Sequence, residues 1–292
     1  MKQSLCNICL AAAMLLAPSV FGWPVTNSPT GGNWEPSSAA MDFRTVVARA
    51  LMLNHFDAQG RDSCDLVIEY AKSQGIPMSN VVDEAKTIAE EGFAMLESGS
   101  ITNVEVKAAI LRYCQKALVL VCRPRDPSAL SYLESKTNSS DEHIRWTAAN
   151  GIINILGPDA IGFIRVAVTN GLYSDTDLHS MYKTFGGRFK AGKRTFSKDT
   201  QAKAYAFLFE LLEKVESGST VKMVDQVLCE TLEGYSASVQ REKVADRMVK
   251  AGPEYSRPHF EAVKAEIEKT PTAKRKDFAA KGELLDPERT KE

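Results

Sequence analysis

Apolar positions along this chain recur at intervals of three and four residues rather than alternating, the spacing that gathers them on one face of an α-helix. Met41, Val46, Ala50 and Leu53 follow Ser38 in this way and predict a helix over 39–54. A second helix is expected from Asp62 or Ser63 to Gln74, ended by Gly75 and Pro77. Ser79 opens a third, through Val82, Ala85, Ile88, Ala89, Phe93 and Leu96, stopped at Gly99. Thr102 opens a fourth, strongly apolar one to Val121, halted by Pro124 and Pro127. Hydroxyl or carboxylate caps stand before these segments and Gly or Pro after them, as helix termini require. The same signals place helices near 128–137, 141–156, 159–170, 175–185, 199–216, 220–233, 238–250 and 257–269. Ile161–Val168 has the composition of a strand, but it follows a Pro158-Asp159 helix start. No sustained alternation and no Asn-Gly or Asp-Gly hairpin signal lies between β-branched runs. The expected fold class is all-α, with about 12 helices.

The two ends depart from this pattern. Met1–Ser4 is short and positive, Leu5–Ala17 is an apolar run broken only by Asn7, and Val20 and Gly22 are small residues before Trp23. This is the layout of a secretory signal peptide over 1–22, cut near Gly22. The run falls short of the roughly 20 residues that cross a bilayer. The expected location is therefore the periplasm or the exterior, with no integral membrane segment after cleavage. Residues 23–37 hold three Pro and two Gly and read as a linker. Residues 38–270 form the helical region. Residues 271–292, with Pro271, Pro287 and Lys274-Arg275-Lys276, read as a polar, frayed tail.

One internal segment goes beyond generic helix. Pro127–Gly157 holds a first helix with Leu130 and Leu133, a polar turn over Asn138–Asp141, and then Ile144, Arg145, Ala148, Ala149, Ile152, Leu156 and Gly157. This resembles a HEAT repeat, whose second helix typically carries an apolar–Arg pair, Ala and a Leu/Ile pair before Gly. The resemblance covers about 31 residues well; 158–187 follows it loosely. It implies an α-solenoid of stacked antiparallel helix pairs, HEAT- or armadillo-like, with a structural Arg145 pairing with a turn acid such as Asp141. Ile144, Ala148, Ile152 and Ile155 make one apolar face of that helix, and Trp146, Ala149 and Ile153 another. A helix apolar on two sides belongs between layers.

Composition narrows the function classes. The 292 residues suit one large domain or two small ones, and 36 Lys+Arg against 37 Asp+Glu give a net charge of −1. A nucleic-acid binder is expected to be more basic. Lys2 is the only charge in the signal, so its removal leaves −2, and Cys64, Cys114, Cys122 and Cys229 remain of six Cys. Cys114 and Cys122 are too far apart on one helix to pair with each other. Each has Cys64 or Cys229 as an alternative partner, or stays a buried thiol.

Candidate chemistry is sparse. Gly187–Lys193 matches G-x-x-x-x-G-K, but Arg194 stands where a phosphate loop needs Ser or Thr, and a helix precedes it rather than a strand. It reads as a flexible Gly-rich link. Around it Lys183, Arg188, Lys190, Lys193, Arg194 and Lys198 concentrate positive charge, interleaved with Tyr182, Phe185, Phe189 and Phe196, as a candidate anion- or partner-binding segment. His55, His143, His179 and His259 have no metal spacing, and no cofactor is implied. No residues stand out as catalytic. The expected function is a non-enzymatic interaction or scaffold module whose partner is another protein of the envelope or exterior. The alternative is an all-α enzyme that cleaves envelope or extracellular polysaccharide with a carboxylate pair.

Overall fold

The computed structural model describes residues 42–52, 62–214, 217–271 and 274–278. The predicted signal peptide, the linker, and the tail beyond residue 278 lie outside the described residues. Among the described residues every regular element is helical and no strand occurs. The chain divides into two compact units, one ending at Ile155 and the other beginning at Leu156.

The first unit holds α1 (Phe43–Met52), α2 (Ser63–Ser73), α3 (Met78–Glu97), α4 (Val104–Cys122), α5 (Leu130–Lys136) and α6 (Glu142–Leu156), whose last residue opens the second unit. Caps set the starts. The Asp42 carboxylate accepts from Thr45 N–H at 2.9 Å, so Asp42 rather than Ser38 opens α1. Asp62 accepts from Cys64 and Asp65 N–H at 2.9 and 3.0 Å. Asn103, one residue beyond the expected Thr102, accepts from Glu105 and Val106 N–H. Gly75 and Gly99 end α2 and α3 at φ +66° and +67°, where a Cβ would be strained.

α3 and α4 form a tight antiparallel hairpin. Ala85, Ala89 and Gly92 give α3 a face of small buried residues, and α4 answers with Ile110, Cys114, Ala117 and Val121. The contact is closest where the Cys114 sulfur lies over Gly92: a Cβ on that glycine would stand 2.3 Å from Sγ. Cys122 lies over Gly151 of α6 in the same manner, at 2.1 Å. On α6, Ile144, Ala148, Ala149, Ile152 and Ile153 are buried, but Ile155 of the first predicted face is half-buried and Trp146 of the second is exposed.

The second unit holds α7 (Ile161–Thr169), α8 (Asp175–Gly192), α9 (Lys198–Lys214), α10 (Gly218–Thr231), α11 (Val239–Ala251) and α12 (Arg257–Ile267). Ser174 and Asp177 make a reciprocal capping box at the start of α8. Gly186 lets α8 approach α10, where a Cβ would meet Val227 at 2.9 Å. Edge-to-face pairs Phe185–Phe207 at 5.0 Å and Phe189–Tyr205 at 5.1 Å join α8 to α9. Glu142–Thr169 is one described stretch long and apolar enough to cross a membrane. A 3₁₀ turn over Gly157–Ala160, with Gly157 at φ +59°, divides it into α6 and α7.

Two expectations change here. The Gly-rich segment predicted as a flexible link is helix as far as Gly192, which lies under the Phe196 ring, while Gly187 faces open space. Part of the polar tail is not frayed. Lys276 C=O accepts from Val239 N–H at 3.0 Å, Phe278 N–H donates to Gln240 Oε1 at 2.9 Å, and Arg275, 7% exposed, pairs with Glu242 at 2.5 Å. These contacts hold residues 274–278 against the start of α11.

Candidate functional site

The predicted basic segment maps onto α8, a short 3₁₀ turn over Lys193–Thr195, and the first residue of α9. Its aromatic and cationic residues part company. Tyr182, Phe185 and Phe189 are buried, and Phe189 stacks on Phe196 with parallel rings 6.4 Å apart. Lys183, Lys190, Arg194 and Lys198 are exposed, and Arg188 and Lys193 are half-buried. Five residues from Lys183, Arg188 lies about 140° round the helix and leaves the stripe that Lys183 shares with Lys190.

Lys193 and Lys190 have structural work. The Lys193 ammonium donates to the carbonyl of Thr231, which also accepts from the Tyr205 hydroxyl at 2.6 Å. A cation at the end of α10 satisfies an orphan carbonyl and complements the helix dipole. The lysine of the G-x-x-x-x-G-K pattern is therefore spent on a helix C-terminus, in a segment that is helix rather than loop. Lys190 pairs with Glu230 of α10, whose carboxyl is held below its ordinary range by that ammonium and by Gln226.

Arg145 departs from its expected partner. Its Nη1 donates to the carbonyls of Ser139 and Ser140 at 2.9 and 3.0 Å, whereas Asp141 accepts from Ile144 N–H at 3.0 Å and caps α6. The cap takes the acid, so the guanidinium ties the turn through its backbone. Arg241, near the start of α11, does likewise: its Nη1 donates to the Ser236 carbonyl at 2.9 Å.

Arg241 also anchors a buried ionic cluster that sequence patterning missed. Asp225 is 2% exposed, and its carboxylate accepts from Arg241 Nε at 3.1 Å and Nη2 at 3.4 Å. Glu266 takes a further Arg241 bond at 3.1 Å, and His259 Nε2 stands 3.8 Å from Asp225. Burial works against the guanidinium, but Asp225 outweighs it and raises its pKa. Burial lowers the pKa of His259 and raises that of the Tyr235 hydroxyl close by. The sequence does carry a signal for this cluster. Asp225 falls among Val221, Val224 and Leu228 on the apolar face of α10, and an acid there requires a buried partner.

The four described cysteines are free thiols, Cys64, Cys114 and Cys122 buried and Cys229 partly so. Burial pushes each up to about 12. A thiol at that level is a weak nucleophile at neutral pH. Neither disulfide alternative is formed.

Carboxylates meet in two further places. In the first unit Arg44 bridges Glu91 and Glu84, and burial raises the Glu84 pKa. In the second, a shallow groove of about 640 Å³ runs over Pro158, Ile161, Arg165, Ala206 and Glu210. Asp159, Lys203 and Glu213 line it as well, and Glu210 accepts from Arg165 at 2.5 Å and from Lys214 at 2.7 Å. Among the described residues no group of three or more His, Cys, Asp and Glu is arranged to hold a metal ion.

Comparison with protein families, with curated proteins and with solved structures finds no match for this chain.

Proposed function

We propose that this is an exported, HEAT-like helical-repeat protein that works as a non-enzymatic interaction or scaffold module of the periplasm or exterior. The observation that carries the reading is the shared role of Arg145 and Arg241, each reaching back five residues from a helix start to a turn carbonyl. A recurrent turn-tying arginine is what a chain of helix pairs needs to fix the angle within each pair. The α6 helix supports it too, since small and branched residues buried on two sides suit the middle of a stack. The signal-like start motivates the location, and another protein is the expected partner.

The test is recovery of the native protein from the envelope fraction, with N-terminal sequencing and identification of what stays bound. A mature start near Trp23 and a stoichiometric protein partner are expected. A cytosolic chain that keeps Met1, or one that retains no partner after mild crosslinking, overturns the reading.

One observation favours the enzymatic alternative. Glu84 and Glu91 share Arg44, burial raises the Glu84 pKa, and a carboxylate pair is the equipment of a glycosidase. Release of reducing ends from envelope polysaccharide, lost in Glu84→Gln and Glu91→Gln, would replace the scaffold reading.

A further inference from the structure

We infer that the outward cations of α8 and of the 3₁₀ turn that follows it, Lys183, Lys190 and Arg194, dock an acidic α-helix of a partner protein; this rests on the interaction reading above and names its surface and partner chemistry. From Lys183 through Lys198 the chain carries six cations and no acid, within a protein of net charge −1, so the excess is local. Tyr182, Phe185 and Phe189 turn inward, which leaves Lys183, Gly187, Lys190, Ala191 and Arg194 on the exposed side. Lys183 and Lys190 stand seven residues apart on α8, about 10 Å along its axis, and Arg194 follows four residues further on in the 3₁₀ turn. Among the described residues Lys183 and Arg194 have no acidic partner, and Glu230 reaches the stripe through Lys190.

The geometry selects among anionic partners. A bilayer would require outward apolar side chains for insertion, and this face has none. Single-stranded nucleic acid would require exposed aromatic platforms, and these rings are inside or stacked on one another. A second helix has the same rise per residue. Acids seven residues apart would therefore meet Lys183 and Lys190 in register, and a third acid one turn further on would lie by Arg194. Gly187 has open space above it, so a partner side chain can settle between Lys183 and Lys190.

The experiment titrates the full chain into a fluorescent helical peptide bearing glutamates at those intervals, and into its glutamine counterpart, followed by anisotropy. The glutamate peptide is expected to bind at low salt, and to weaken about tenfold or more as ionic strength rises from roughly 50 to 300 mM. The glutamine peptide should not bind. Lys183→Glu/Arg194→Glu should weaken binding at least about tenfold. Glu230→Gln releases Lys190 and should tighten binding about two- to fivefold. Circular dichroism checks that the variants stay helical. No binding at low salt, or binding indifferent to the double substitution, overturns the inference. So does a preference for phosphatidylglycerol vesicles or a single-stranded oligonucleotide over the peptide. Failure here is separable from failure of the broader reading. A natural protein partner kept undiminished by Lys183→Glu/Arg194→Glu removes only the α8 assignment, whereas wild-type chain that retains no protein removes the interaction reading.

Discussion

Gly92→Ala tests whether the α3–α4 hairpin is held by the seat that Gly92 offers to Cys114. On an exposed helix the change would stabilise by about 1 kcal/mol, because alanine loses less backbone freedom. Here the new Cβ would stand 2.3 Å from the Cys114 sulfur, which is itself fully buried and has little room to move. Overpacking of this kind costs about 1–3 kcal/mol, so the net expectation is a loss of about 0–2 kcal/mol. Cys114→Ala alone removes one buried heavy atom and should cost about 1 kcal/mol. In the double variant the obstruction is gone, and the nearest remaining neighbour is Ile110 Cγ2 at an ordinary 3.6 Å. There the alanine recovers its helix propensity and fills the vacated space, so the double variant should be about 1 kcal/mol more stable than Cys114→Ala. The four proteins close a mutant cycle, read from urea unfolding midpoints at constant slope, with an expected coupling of about 1–3 kcal/mol. Additivity within about 0.5 kcal/mol, or a stabilised single Gly92→Ala protein, would refute the close-packed seam.

Three other outcomes follow from the second unit. Asp225→Ala leaves the Arg241 guanidinium buried without its main counter-charge and should cost about 3–5 kcal/mol by urea unfolding. A loss below about 1 kcal/mol would mean that Arg241 finds water. His259 has a folded pKa below its ordinary value, so the unfolded chain binds more protons as acidity rises. Its contribution is intact above about pH 6.5 and declines as pH falls through the lower folded value. Unfolding series from pH 7.5 to 5 (an approximate range) should therefore show a downward slope that His259→Gln flattens; an unchanged slope assigns it to other groups. Lys193→Met keeps the aliphatic stem but drops the bond to Thr231, and should lower stability by about 0.5–1.5 kcal/mol. Mg-ATP should shift the melting temperature of neither protein, and a shift lost in the variant would restore a phosphate role to Lys193.

Much of the helical order is legible in the sequence because its punctuation is local. Asp62, Gly75 and Gly99 act within one turn of their own backbone, and helices begin or end at them. The misread positions are decided by packing contacts and competing bonds that composition does not show. Gly186 and Gly192 look like breakers of α8, yet each is a contact surface, one for Val227 and one for Phe196. The Asp141 carboxylate has two local uses open to it, and the cap wins over the Arg145 pair because the orphan N–H groups of α6 are nearer. Of the candidate site, the charge excess at 183–198 is visible in composition, but not its sorting into an outward stripe and an inward Lys193. The Asp225–Arg241 pair joins residues of two different helices. Only the acid's place on an apolar face hints at it.

The docking of residues 274–278 bears on how the chain's end can be handled. Arg275, Lys276 and Phe278 occupy donors and acceptors at the start of α11 that water would otherwise take. A protease cut or an expression boundary placed just after α12 would strip those bonds from Val239, Gln240 and Glu242. The damage would surface as premature melting of α11 rather than as a harmless shortening. The start of α11 is closed by a clasp from beyond α12, written in residues whose composition alone marks them as dispensable.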